Sequence, residues 1–192
     1  MEFNIKEIQN RISRSDEKAF AELYAHFHKR LLDFSKALLH STESSEEVVE
    51  DIFVKIWNRR EKINEIENVT IYLYVAVKNK SLNMLAQMAK QLSKQPFDYI
   101  DIVVKETCYN PHDLLITSEM MHRMVQAIEA LPPRCKMIFK LVREDGLKYK
   151  EISQILNISV NTIDAQMAIA VKRICAALQI KNPKKISTTI TK

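Results

Sequence analysis

The sequence holds a single glycine, Gly146, among 192 residues, with five prolines. Tight hairpins depend on glycine because their central residues need positive φ, so a sheet of short strands has almost no turn chemistry here. Leu, Ile, Lys, Glu, Ala and Met instead suit long helices. The chain therefore reads as all-α. Its 46% hydrophobic content is enough for packed cores, and its length accommodates one medium domain or two small ones.

Apolar spacing divides the chain. From Asp16 onward, Phe20, Leu23, Tyr24, Phe27, Leu31, Leu32 and Phe34 recur at intervals of three and four, the period of a helix with one broad apolar face. A break spans His40 to Ser45, where Ser44 to Glu47 reads as a capping box opening a new helix. That helix continues through Val48, Val49, Ile52, Phe53, Ile56 and Trp57 and stops in the polar stretch Asn58 to Asn68. A third segment, Val69 to Gln87, carries Leu73, Val77, Leu82 and Leu85. Periodicity fades from Met88 to Thr117, a stretch with Pro96 and Pro111. Helicity resumes at Ser118, with Met121, Met124, Val125, Ile128 and Leu131 on one face, and ends at Pro132-Pro133. Arg134 to Glu144 reads as a further helix with Gly146 as its left-handed stop. Two small helical domains are expected, 1–87 and 118–180, joined by a flexible linker, 88–117, and followed by a polar tail, 181–192.

Charge is unevenly placed. Residues 1–86 carry 13 basic and 14 acidic side chains, whereas residues 119–192 carry 13 and 6. Basic clustering of this kind suits a polyanion-binding module, and equally a solvated basic surface. Cys108, Cys135 and Cys175 are odd in number and far apart, which argues against a disulfide framework and for a reducing cytoplasm. No run approaches the ~18 apolar residues of a membrane span, and no charged segment leading into an apolar one opens the chain.

The clearest functional signal runs from Leu147 to Met167: a short helix, a tight turn and a second helix. Ile152, Ile155 and Leu156 make the first helix's inner face, Asn157 stands where a left-handed residue is needed, and Ser159 caps the second helix. Ile163, Met167, Ala170, Ile174 and Leu178 point inward. Asn161, Thr162, Asp164, Ala165 and Ala168 then face out near the helix's N-terminal end. Such a helix fits a DNA major groove, with Lys148, Lys150, Lys172 and Arg173 placed to flank it. A helical hairpin without DNA is the competing reading, and the outward carboxylate of Asp164 favours it.

The two halves together resemble the extracytoplasmic-function group of the sigma-70 family. The N-terminal resemblance lies in Phe20-Ala-Glu-Leu-Tyr, in Glu46-Glu-Val-Val-Glu-Asp-Ile-Phe-Val-Lys-Ile-Trp and in Tyr72-Leu-Tyr-Val-Ala-Val-Lys-Asn-Lys-Ser-Leu-Asn. The C-terminal one lies in Ala127-Ile-Glu-Ala-Leu-Pro-Pro-Arg-Cys and the helix-turn-helix. Each match is weak alone; their order and spacing make the combination strong. Asn110-Pro-His-Asp-Leu-Leu and Leu-Pro-Pro-Arg-Cys look most like the group's Bacteroidetes branch.

The resemblance implies a cytoplasmic, non-enzymatic protein that needs no cofactor and no small-molecule substrate. It would bind core RNA polymerase at the β′ clamp helices and the β flap, engage promoter DNA and be masked by an anti-sigma factor. Glu46, Glu47, Glu50, Asp51, Val54 and Lys55 would meet the clamp helices. The segment Ile63 to Asn83 would capture unpaired bases of the −10 element, with faces from Tyr72 and Tyr74, charge from Lys78 and Lys80, and base-edge bonds from Asn79 and Asn83. For each tyrosine a core role is an equal alternative, and Glu65 and Glu67 make the matching loop acidic. The −35 duplex would be read by Asn161, Thr162, Asp164, Ala165 and Gln166. Ala168 and Ile169 stand where many relatives carry Arg or Lys, which implies weaker binding supplemented by polymerase.

Two other classes stay open from the residues alone. A conventional regulator would bind a palindromic duplex as a dimer through the same helix-turn-helix, without polymerase. A metal enzyme would draw on His26, His28, His40, His112, His122 and the cysteines, but the close pairs His26/His28 and Cys108/His112 lack a second pair at zinc-site spacing.

Overall fold

A computed structural model of the protein describes residues 3–92 and 119–178, and all regular structure among them is helical. The described helices fall into two compact units. The expected linker beyond Leu92, Cys108, His112 and the polar tail lie outside the described residues.

The first unit is built from α1 (Ile5–Ile12), α2 (Glu17–Leu39), α3 (Thr42–Asn58) and α4 (Val69–Leu92), with a 3-10 turn, Arg60–Glu65, between α3 and α4. Helix α2 packs on α1, α3 and α4, and α3 packs on α4. Leu23, Phe27, Leu31 and Phe34 of α2 meet Val49, Ile52, Phe53 and Ile56 of α3 and Leu73, Tyr74 and Val77 of α4 in the core. Each fully buried aliphatic or aromatic side chain contributes about 1.5–3 kcal/mol. One polar pair sits within it: the hydroxyls of Ser35 and Ser81 bond at 3.1 Å, satisfying two buried groups at once.

Helix starts follow local chemistry. Asn4 Oδ1 accepts from Glu7 N, Asp16 Oδ1 from Lys18 N and Ala19 N, and Asn68 Oδ1 from Ile71 N. Helix α3 departs from the expectation of a start at Ser44. Its cap is Ser41, whose Oγ accepts Ser44 N at 3.3 Å, while Ser45 is buried inside the first turns and donates to the Ser41 carbonyl. Starting earlier lets Ser45, Val48 and Val49 share one inward face, which leaves Glu46 and Glu47 within the helix body rather than at its cap. Helix α1 lies outside the segments marked by periodicity, and α4 continues past Gln87 to Leu92. Leu82 is 47% exposed because the core phase of α4 runs through Leu73, Val77 and Ser81.

The second unit comprises α5 (Glu119–Glu129), α6 (Pro133–Arg143), most of α7 (Tyr149–Leu156) and α8 (Val160–Ala177). Helices α5 and α6 both pack on α8. Leu131, Cys135, Ile138, Phe139, Leu141, Ile163, Met167, Ala170 and Ile174 are buried, whereas Met124, expected on the inner face, is exposed. Gly146 takes φ 69°, and Leu147 N returns to the Leu141 carbonyl, closing the end of α6. Glu129 holds the unit's polar seam: its carboxylate accepts from Lys136 at 2.9 Å and Lys140 at 3.1 Å. Burial pushes this carboxyl up, but the two ammonium groups outweigh it and leave it below the usual range.

Candidate nucleic-acid interface

The turn between α7 and α8 forms as its residues dictate. Asn157 adopts a left-handed φ of 54°, and Ser153 Oγ donates to the Ile158 carbonyl at 2.6 Å, tying the end of α7 to the turn. Ser159 then caps α8, accepting Thr162 N at 3.1 Å, with its hydroxyl 2.8 Å from that of Thr162. At the front of α7 the Glu151 carboxylate accepts the Lys148 backbone N–H.

With Ile163, Met167, Ala170 and Ile174 turned inward, the opposite face of α8 presents Asn161, Ala165, Ala168 and Lys172, all exposed, at helical steps of four, three and four. The two alanines keep the middle of this stripe low, so the helix backbone can approach a groove closely. Thr162 and Gln166 are half-buried along one flank, where Arg173 is exposed. Cys135 lies under that flank: its thiol donates to the Gln166 carbonyl at 3.3 Å, and burial, opposed by Arg173, pushes its pKa up. Asp164 occupies the other flank. Burial first, then the Asp164 charge, raises the Tyr149 hydroxyl pKa, with Arg143 opposing. Lys148 and Lys150 are exposed at the start of α7. The exposed stripe of α8 thus carries an amide, two methyl groups and an ammonium, chemistry that suits base edges and phosphates.

In the first unit, Tyr72, Asn79 and Asn83 are exposed and share the face of α4 opposite the core. Tyr74 does not join them. It is 1% exposed and packs edge-on to Phe34 at 5.2 Å, so it offers no face to an unpaired base. Two residues along a helix means a rotation of about 200°, and only one of the two tyrosines can look outward. Lys78 follows on α4, and Lys80 is ion-paired with Asp51 of α3.

Along α3, Glu46, Glu47 and Glu50 are exposed beside Val54, which is 56% exposed. This acidic face with an apolar spot reaches α2, where burial and then Glu50 and Glu46 raise the Tyr24 hydroxyl pKa. Lys55 is exposed, and Asp51 turns toward Lys80. Phe53 and Ile56 are core residues, and half-buried Trp57 lies against Phe20 with the Arg60 guanidinium 4.9 Å from its ring. The histidines of the metal reading have other neighbours: His26 stacks on Phe3 at 3.6 Å and His28 on Tyr24 at 4.6 Å.

Sequence reasoning passed over the residues that shape the loop before α4. Gln9 of α1 donates from Nε2 to the carbonyls of Ile63 and Ile66 at 2.8 and 3.0 Å. Its signal was available: Ile5, Ile8 and Ile12 have helical spacing, and Gln9 interrupts that apolar face.

Two family models match the chain, Sigma-70 region 2 over residues 23–91 and Sigma-70 region 4 over residues 121–174. The chain is 24% identical to the ECF RNA polymerase sigma-E factor of Escherichia coli (strain K12) over 164 residues, covering 82% of this chain and 85% of that protein. It is 21% identical to the ECF RNA polymerase sigma factor SigK of Mycobacterium bovis over 170 residues, covering 88% and 91%. Among solved structures, the fold is similar to that of the sigma factor RpoE in complex with the anti-sigma factor NepR from Bartonella quintana (TM-score 0.63, 16% identity, 85% of this chain and 99% of that one). It is also similar to CnrH in complex with the cytosolic domain of CnrY (TM-score 0.54, 16% identity, 91% and 96%). With both regions present in order on one chain and both built from helices alone, the chain belongs to the extracytoplasmic-function group of the sigma-70 family.

Proposed function

We propose that this protein is a cytoplasmic sigma factor that binds core RNA polymerase, recognises promoter −35 and −10 elements and promotes initiation without chemistry, cofactor or small-molecule substrate of its own. The single observation that carries this reading is the pairing of regions 2 and 4 on one chain. In it, the acidic face of α3 (Glu46, Glu47, Glu50, Asp51) with Val54 and Lys55 meets the β′ clamp helices, the second unit engages the β flap and α8 enters the −35 major groove. Asn161, Thr162, Ala165 and Gln166 face base edges, and Lys148, Lys150, Lys172 and Arg173 meet phosphates. Asp164 sets a limit on how close phosphates come. Tyr72, Lys78, Asn79, Lys80 and Asn83 hold the unpaired −10 strand. An anti-sigma factor is the expected further partner, since the structural relative RpoE is in complex with the anti-sigma factor NepR. No helix among the described residues is long and apolar enough to cross a membrane.

Run-off transcription with purified core polymerase, on DNA upstream of genes in the protein's own genomic neighbourhood, tests the reading. A promoter-specific transcript that needs this protein is the expected result. Absence of both a transcript and polymerase binding defeats it.

A further inference from the structure

The loop that precedes α4, residues 59–68, is held from behind. Gln9 is 1% exposed, and a buried amide costs free energy unless it is hydrogen-bonded. Both donors of its Nε2 go to loop carbonyls, Ile63 at 2.8 Å and Ile66 at 3.0 Å, the latter at the residue where the 3-10 turn ends. Its Oε1 has no protein partner among the described residues, so the side chain acts on the loop through its N–H groups.

The turn between α1 and α2 adds two further ties. Ser13 Oγ accepts from Asn64 Nδ2 at 3.1 Å, and Ser15 Oγ accepts from Arg60 Nε at 2.8 Å. Ser15 is in the left-handed region at φ 65°. Arg60 is itself fixed from a third side, lying over Trp57 and donating to the Trp57 carbonyl at 3.1 Å. Lys6 Nζ reaches the Glu67 carbonyl at 3.5 Å. The ties from Lys6, Gln9, Ser13 and Ser15 reach the loop from 45 to 61 positions upstream, and the side chains of Glu61, Lys62, Glu65 and Glu67 remain exposed.

We propose that Gln9, with Ser13 and Ser15, is a positioning device that presets the backbone shape of loop 59–68 for selecting an unpaired promoter base. The inference rests on the sigma-factor reading above. A loop ordered before binding does not lose conformational freedom on binding, and it offers one pocket shape rather than many. Selectivity among −10 bases, more than overall affinity, is what such bracing supplies.

The test uses the full chain in complex with core polymerase, and single-stranded oligonucleotides carrying the preferred −10 sequence or a single-base change in it. The quantity read is the affinity ratio between them. Gln9→Met keeps the core volume and removes both donors; the ratio should fall about fivefold or more, the scale of one recognised base, while polymerase affinity and −35 duplex binding hold. If Gln9→Met also loses polymerase binding, a Ser13→Ala/Ser15→Gly variant decides. Those hydroxyls are at the surface, and glycine suits the left-handed turn. A reduced ratio in it supports the inference, and an unchanged ratio overturns it. An unchanged ratio in a polymerase-competent Gln9→Met overturns it likewise. A wild-type complex with no base preference at all overturns the underlying reading, and the positioning role with it.

Discussion

Lys80 on α4 is ion-paired with Asp51 on α3, so a cation assigned to promoter DNA and a carboxylate assigned to polymerase neutralise one another in the free protein. The pair is part-exposed, with 22% and 49% of the side chains accessible, and pairs of that kind contribute about 0.2–1 kcal/mol. Asp51→Asn should therefore strengthen binding of the free protein to a single-stranded −10 oligonucleotide by about 1.4- to 5-fold at low salt. The gain should vanish in Asp51→Asn/Lys80→Ala. Fluorescence anisotropy over a salt series measures both.

The two tyrosines of α4 should separate cleanly. Tyr72→Ala, at an exposed position, is expected to leave the thermal midpoint unchanged and to weaken the melted-strand complex by about 1–3 kcal/mol, the worth of a stacked base. Tyr74→Ala empties a buried site against Phe34 and should destabilise the first unit by about 3–5 kcal/mol. Circular dichroism melts alongside permanganate footprinting distinguish these outcomes.

Asn79→Ala removes an exposed amide from the same face of α4. Promoter opening should fall while polymerase binding is retained. Loss of both functions in a pull-down and footprinting comparison would assign Asn79 to folding instead.

The Glu129 carboxyl is held below its ordinary range by Lys136 and Lys140 against the opposing effect of burial. A depressed folded-state pKa stabilises at pH above the unfolded value and loses that stabilisation as pH falls through the folded one. Glu129→Gln should therefore cost about 1 kcal/mol at pH 7, and the difference from wild type should shrink as pH drops below the normal carboxylate range. Hydrogen exchange of α5 and α6 amides between pH 7 and pH 4 reads it locally.

On α8, Lys172→Ala should weaken −35 duplex binding almost equally for all sequences and reduce the slope of log K against log salt by about 1. Asn161→Ala should weaken the preferred duplex selectively and leave the slope alone. A change of slope for Asn161→Ala would place it on a phosphate.

Much of this was legible in advance because short-range chemistry decided it. Asn157 and Ser159 are a turn and a cap whatever surrounds them, and Gly146 marks the end of α6. The start of α3 was misplaced because Ser41 and Ser44 are both competent caps, and only the packing of Ser45, Val48 and Val49 selects the first. Tyr72 and Tyr74 are chemically alike, and the choice between them depends on helix phase. The Lys80–Asp51 pair and the bonds from Gln9 to Ile63 and Ile66 join residues far apart in sequence, where local pattern carries no signal.

Ala165 and Ala168 lie on the exposed stripe of α8, while Ile163, Met167, Ala170 and Ile174 hold the helix in place from the other side. On the proposed reading, recognition and stability are therefore written on separate faces of one element. A lineage can retarget such a protein one side chain at a time, exchanging an outward methyl for an amide or guanidinium at little risk to the fold. The same separation makes α8 a natural place to engineer promoter systems that do not cross-talk.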